Sequence, residues 1–293
     1  MDQSACAPTV VQPNARKSNS CMNLEALQLI ARMYNDHNRD TPIKLYKTKK
    51  SMMKALDERL ASVCARGDQS CWLKQPFATS EPAETKAIAR KHFKPPKPGC
   101  WQSNKNTWLT NFDIENVMRQ YDAADKQFKF LGVHAIDFSN VYDGKCISPD
   151  ICDLQLSKLR RSGVHCIGFV FNTDTHDRSG QHWISLFVGL RPTCANYGVF
   201  FYDSVADAPP PRLQKYMDTL HAQLKQSAPA SATTKPRLEI NSKRRQYLGT
   251  ECGIYALLFI IRMRTERFEH VCRTMGNDAV TEKYRDIFFR EGK

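Results

Sequence analysis

With 293 residues, 41% of them hydrophobic and 25% charged, the chain can build one full core plus a smaller unit, and its composition is that of a globular protein. The longest apolar run, IYALLFII, falls well short of the ~18 residues of a membrane span, and the first twenty residues carry no signal core, so a soluble intracellular protein with no membrane partner is expected. Net charge is +13, and residues 1–105 hold 18 Lys and Arg against 9 Asp and Glu, an excess of about +9 that calls for a nucleic acid, an acidic protein face, or simply a solvated basic surface.

In chain order, the first twenty residues read as a loose polar tail. SNSCMNLEALQLIARMYN follows with Leu24, Leu27, Ile30, Ala31 and Tyr34 at helical spacing, and Ser18 or Ser20 is available as a cap. SMMKALDERLASVCARG predicts a second helix, with Met52, Leu56, Leu60 and Val63 on one stripe and Gly67 as the stop. The prolines of KHFKPPKPGCW, residues 91–101, break regular structure. They point to a division between a basic, mainly helical N-terminal arm, 1–105, and a main domain, 106–293. TNFDIENVMRQYDAAD reads as a helix capped by Asn111 or Asp113. VHCIGFVFN, HWISLFVGL and GVFFYD are β-branched and aromatic runs of strand length. PPRLQKYMDTLHAQLKQS is an amphipathic helix with proline near its start, PRLEINSKR a further short strand, and CGIYALLFII a buried helix. The expected class is α+β, a small mixed sheet flanked by helices.

Eleven cysteines are scattered without regular spacing and without any C-x-x-C pair, which predicts reduced thiols and argues against a zinc site. One thiol stands apart. Cys252 opens the apolar helix, where the helix dipole favours a thiolate. A nucleophile needs a base and an orienter for that base. His182 starts one strand and Asp203 ends the next; if the two are antiparallel neighbours, both side chains meet at one sheet edge. Gln246, six residues before Cys252, can offer a side-chain N–H to an oxyanion, with the backbone N–H near Cys252 as second donor. Gly253 leaves room for close approach by substrate. Packing alone accounts for a buried cysteine, but not for the whole set in this order.

The order HW … FYDS … Q-x5-CG resembles the Ulp1-like and adenovirus-type cysteine proteases, in which the cysteine comes last. Within them the resemblance is to the polyprotein-processing proteases of African swine fever virus and related large cytoplasmic DNA viruses. It is carried by WLTNFDIENVMRQY, FNTDTHDRSGQHWISLF, FFYDSVADAPPP and TECGIYALLFI, from about Trp108 to the end of the chain. Residues 1–105 share only a helical arm. The resemblance implies an Ulp1-like core with a helical N-terminal arm, Cys252 as nucleophile, His182 as general base and acid, Asp203 as orienter and Gln246 as oxyanion donor. The viral relatives have asparagine at the orienting position, so the aspartate is a departure. Trp183 would lie over the substrate path, a role that plain strand packing rivals. Asn172 falls in a matching stretch. The implied substrate is a polyprotein cut after Gly-Gly or a similar small pair in Gly-Gly-Xaa sites, because glycines fit a narrow channel under an indole. No metal or organic cofactor is implied, and the implied setting is the virus factory of the host cytoplasm and the virion. Three rival readings are a deconjugating isopeptidase for a ubiquitin-like modifier, an acetyltransferase of similar fold, and a DNA-associated virion protein with an inert Cys252.

Overall fold

The computed structural model describes residues 5–8, 20–104, 107–228 and 233–291. The chain divides into two compact units, Met1–Lys97 with Asp286–Lys293, and Pro98–Arg285. Against a linear division at 105/106, the boundary lies inside the proline-rich stretch, and the last eight residues go with the first unit.

In the first unit, α1 (Leu24–His37) starts where the Asn23 side chain accepts from the Ala26 N–H. Asn23 is therefore the cap; Ser20 instead accepts from the Met22 N–H at 3.1 Å, and Ser18 lies outside the described residues. α2 (Lys49–Arg59) is capped by Thr48 and stops before the end of its predicted stripe. Leu60 is buried but Val63 is exposed, because the chain leaves the helix to turn toward Gly67, whose N–H donates to the Asp57 carboxylate. Three further short helices follow: α3 (Gln69–Trp72), α4 (Pro76–Thr79) and α5 (Pro82–His92). Leu27, Ile30, Met52, Leu56, Trp72 and Phe77 form the heart of the core they enclose. The predicted loose tail is held where it is described, since the Lys94 N–H donates to the Ala5 carbonyl and Cys6 bridges to Phe93. The rest of that tail, 1–4 and 9–19, lies outside the described residues.

Three cystines replace the expected reduced thiols: Cys6–Cys21 and Cys64–Cys71 in the first unit, and Cys146–Cys152 in the second. Their Cα atoms are 5.1, 5.8 and 6.6 Å apart, within the range a disulfide spans. Folding brings these pairs together, a proximity that irregular sequence spacing conceals.

The second unit opens with α6 (Asn111–Ala124), whose cap is Thr110; Asp113 returns a bond to the Thr110 N–H, so the two form a reciprocal capping box. β1 (Phe128–Ala135), a hairpin of β2 (Val141–Tyr142) and β3 (Lys145–Cys146), α7 (Pro149–Cys152) and α8 (Leu156–Arg161) come next. Then follow β4 (Cys166–Asn172), β5 (Trp183–Gly189), β6 (Gly198–Tyr202), α9 (Pro211–Gln226), β7 (Arg237–Ile240), α10 (Cys252–Met263), α11 (Phe268–Thr274) and α12 (Asp278–Phe288). The sheet order is β1-β4-β5-β6-β7; β4, β5 and β6 are antiparallel neighbours, while β1 joins β4 and β7 joins β6 in parallel. Every residue of β5 is buried, as expected of a central strand covered on both faces. One face packs Ile184, Leu186 and Val188 among Leu213, Met217 and Leu220 of α9. The other carries α10. There Phe259 stacks on Tyr202 with ring centroids 4.9 Å apart, and Gly168 admits Ile260 so closely that a Cβ would stand 2.6 Å from its side chain. That close approach seats α10, and with it Cys252, on the sheet.

Candidate active site

Cys252 is the first residue of α10, and its side chain is buried. His182 immediately precedes β5 and Asp203 immediately follows β6. The antiparallel register, with Ser185 opposite Tyr202, brings the start of one strand beside the end of the other. The outcome is a hydrogen bond from His182 Nε2 to Asp203 Oδ1 of 2.6 Å. The thiol of Cys252 is a second hydrogen-bonding neighbour of the same ring. Burial pulls the His182 pKa down, but the hydrogen bonds and charges of Asp203 and Cys252 outweigh it and push it up to about 10.

Asp203 is itself fixed. Its Oδ1 also accepts from the Val205 N–H at 2.9 Å, while its backbone N–H and carbonyl are both held by the Asn241 side chain, at 2.8 and 2.6 Å. The next residue, Ser204, reaches the Gln246 loop. Its hydroxyl donates to Gln246 Oε1 at 2.6 Å and its carbonyl accepts from the Gln246 N–H at 2.9 Å. Gln246 Nε2 donates to the Leu248 carbonyl at 2.6 Å, leaving its second N–H for another acceptor.

Trp183, the first residue of β5, is buried and donates its indole N–H to the Leu109 carbonyl at 2.9 Å. Leu109 also fills the space beside Gly253, where a Cβ would meet the Leu109 Cβ at 3.0 Å. The room at Gly253 is therefore taken by protein, and one leucine ties the Trp183 edge to the helix that carries the thiol. Asn172, opposite Trp183 across β4 and β5, accepts from the Asp174 and Gln181 N–H groups at 2.9 and 3.1 Å and closes the neck of the loop that leads to His182.

Sequence reasoning missed four residues that shape this site: Leu109, Asn241, Asp278 and Arg285. The last three are buried polar or charged groups, and no local pattern in the sequence marks them. Among the free cysteines, Cys166 and Cys272 are pushed up to about 12 by burial and stay protonated, whereas Cys252 alone has a histidine partner among the interactions described. Thiol, imidazole and carboxylate in a row are the chemistry of acyl transfer through a thioester.

No protein-family model matches the chain. A protein of Acanthamoeba polyphaga mimivirus named as a thiol protease is 25% identical over 304 residues, 97% of this chain and 93% of its own length. The cysteine protease of African swine fever virus is 25% identical over 241 residues, covering 76% of this chain and 82% of that protein. The crystal structure of an African swine fever virus protease superposes with a TM-score of 0.66 at 20% identity, over 98% of this chain and 96% of the other, so the two share a fold.

Proposed function

We infer that the chain is a Ulp1-like cysteine endopeptidase that processes viral structural polyproteins after Gly-Gly-type pairs during virion maturation, a reading supported by its likeness to viral cysteine proteases. The observation that carries this reading is the His182–Asp203 bond of 2.6 Å with the Cys252 thiol on the same ring. His182 takes the Cys252 thiol proton, and Sγ attacks the scissile carbonyl, forming a C–S bond as the carbonyl electrons move onto oxygen. The second Gln246 N–H and the backbone N–H at Cys252 receive that oxyanion. Collapse of the intermediate breaks the C–N bond, and the His182 imidazolium gives its proton to the leaving amine. Water then enters, loses a proton to His182 and attacks the thioester, and Cys252 leaves as thiolate. Asp203 keeps the ring oriented and its cation stabilised throughout. Trp183, held by Leu109, forms the wall that favours residues without a Cβ on the acyl side.

The first unit supports a second element of the reading. Its basic excess suits docking on nucleic acid or an acidic polyprotein face, in a virus factory of the host cytoplasm or in the virion. Deleting residues 1–97 while following DNA affinity and polyprotein processing tests this; two unchanged values reject it.

The central test is hydrolysis of a fluorogenic Gly-Gly-Xaa peptide by the wild type and by Cys252→Ala, in reductant. Turnover by the wild type alone is expected. Cleavage of a folded ubiquitin-like conjugate but not of the peptide would assign the isopeptidase reaction instead. Acetyl transfer from acetyl-CoA to protein, with no hydrolysis, would reject proteolysis.

A further inference from the structure

Cys252 is preceded by a carboxylate. Glu251 is almost fully buried, and a bare charge there would oppose the formation of a thiolate at the next residue. It is not bare. Arg285 of α12, 34 positions further on, approaches it with Nη2 at 2.7 Å and Nε at 3.1 and 3.2 Å from its two oxygens. The same guanidinium gives Nη2 to the Thr250 carbonyl at 3.2 Å and Nη1 to the Thr107 carbonyl at 3.1 Å. Its carbon lies 4.5 Å from the centre of the Trp101 ring. Arg285 is thus a hub for two segments: the turn that presents Cys252, and the stretch two residues ahead of Leu109, the residue that touches both Trp183 and Gly253.

A buried ion pair is a poor device for stability alone, since apolar groups of the same volume often serve as well. What it supplies here is directional: a planar fork that fixes several chain segments at once and leaves no net charge beside the thiol. We propose that Arg285 is a positioning residue for acyl transfer, setting the Thr250–Cys252 turn and cancelling the Glu251 charge next to the nucleophile. This rests on the reading of Cys252 as the nucleophile.

The test is the rate at which iodoacetamide alkylates Cys252 in the full chain, followed by the mass of the peptide that carries it. Because alkylation needs no substrate, its result stands whether or not a Gly-Gly peptide is cleaved, so the failure of this inference and of the protease reading are seen separately. Arg285→Met should slow alkylation about tenfold or more, the effect of one uncompensated neighbouring charge. Arg285→Lys, which keeps the charge but not the planar fork, should alkylate faster than Arg285→Met and more slowly than the wild type. The double variant Glu251→Gln/Arg285→Met, which removes both charges and so spares the fold an orphaned carboxylate, should recover most of the lost rate. An unchanged rate in Arg285→Met, or a double variant as slow as the single one, would overturn the proposal and leave Arg285 a structural residue only.

Discussion

At the scale of single residues, Asp203 decides how firmly His182 holds its proton. A carboxylate holds an imidazolium by charge as well as by hydrogen bond, which is why His182 is raised to about 10 despite its burial. An asparagine in its place would accept the same Nε2–H without the charge. Asp203→Asn is therefore expected to keep measurable peptide hydrolysis. Its alkaline limb should move toward neutrality by about one to two pH units, because in the proposed mechanism the imidazolium that protonates the leaving amine is present below the His182 pKa and lost above it. A pH profile of kcat/KM checks this; an alkaline limb that stays in place would mean that Asp203 does not hold the proton on His182. The stability sign is the same, since a raised histidine stabilises the fold at pH below 6.5 and that contribution fades as pH climbs through 10. Gly253 offers a second test. An alanine Cβ would press on Leu109 from 3.0 Å, an overpacking cost of about 1–3 kcal/mol, while replacing glycine within a helix returns up to ~1 kcal/mol. Gly253→Ala should accordingly melt within a few degrees of the wild type yet lose several-fold in kcat/KM, because Leu109 cannot yield without moving the bond it makes to Trp183.

At the scale of elements, α12 does more than close the second unit. Asp278 and Arg285 stand two turns apart on it and so share a face. Asp278 Oδ2 accepts the N–H groups of Tyr247 and Leu248 at 2.7 and 2.9 Å, and the Leu248 carbonyl in turn takes the Gln246 amide. Asp278→Asn weakens two charge-assisted bonds without changing shape. If Gln246 meets the oxyanion only in the transition state, kcat should fall about tenfold while KM stays within about twofold. A rise in KM alone would place the loop in substrate binding instead. This element also shows where a sequence stops being legible. β4, β5 and β6 were readable because each is a run of β-branched and aromatic residues, and because short connections make consecutive strands antiparallel; that alone put His182 beside Asp203. β1 was missed: it pairs in parallel with β4, a partner reached only through the intervening hairpin and helices, and its register shifts between Phe130 and Val133. The Thr110 cap was misplaced by one and three residues because Asn111 and Asp113 are also good cappers, and only the reciprocal bond separates a cap from its partner. The Glu251–Arg285 pair, like the Asp278 bonds, joins residues that no local pattern relates.

At the scale of the whole molecule, thiol chemistry divides the chain in a way composition did not reveal. Of eleven cysteines, Cys100, Cys166, Cys194, Cys252 and Cys272 remain free, and all but Cys252 lack a histidine to draw off their proton in the interactions described. Two of the three cystines lie in the first unit, where Cys6–Cys21 closes a loop of 15 positions and ties the described start of the chain to the residues just before α1. Such a loop contributes about 3 kcal/mol by restricting the unfolded chain. The second unit, which holds the site, has only the short Cys146–Cys152 link, six positions apart and remote in sequence from Cys252. Reductant therefore acts oppositely on the two tasks: it keeps Cys252 a thiol and loosens the first unit. Protein purified without reductant and unfolded in guanidinium should titrate five thiols with a disulfide-exchange reagent, and eleven after reduction. Calorimetry with and without reductant should then lower the melting of the first unit while peptide hydrolysis survives. Eleven thiols before reduction would mean that the three pairs are neighbours without bonds, in keeping with a reducing compartment, and the first unit would then owe its stability to its Leu27, Met52 and Trp72 core alone.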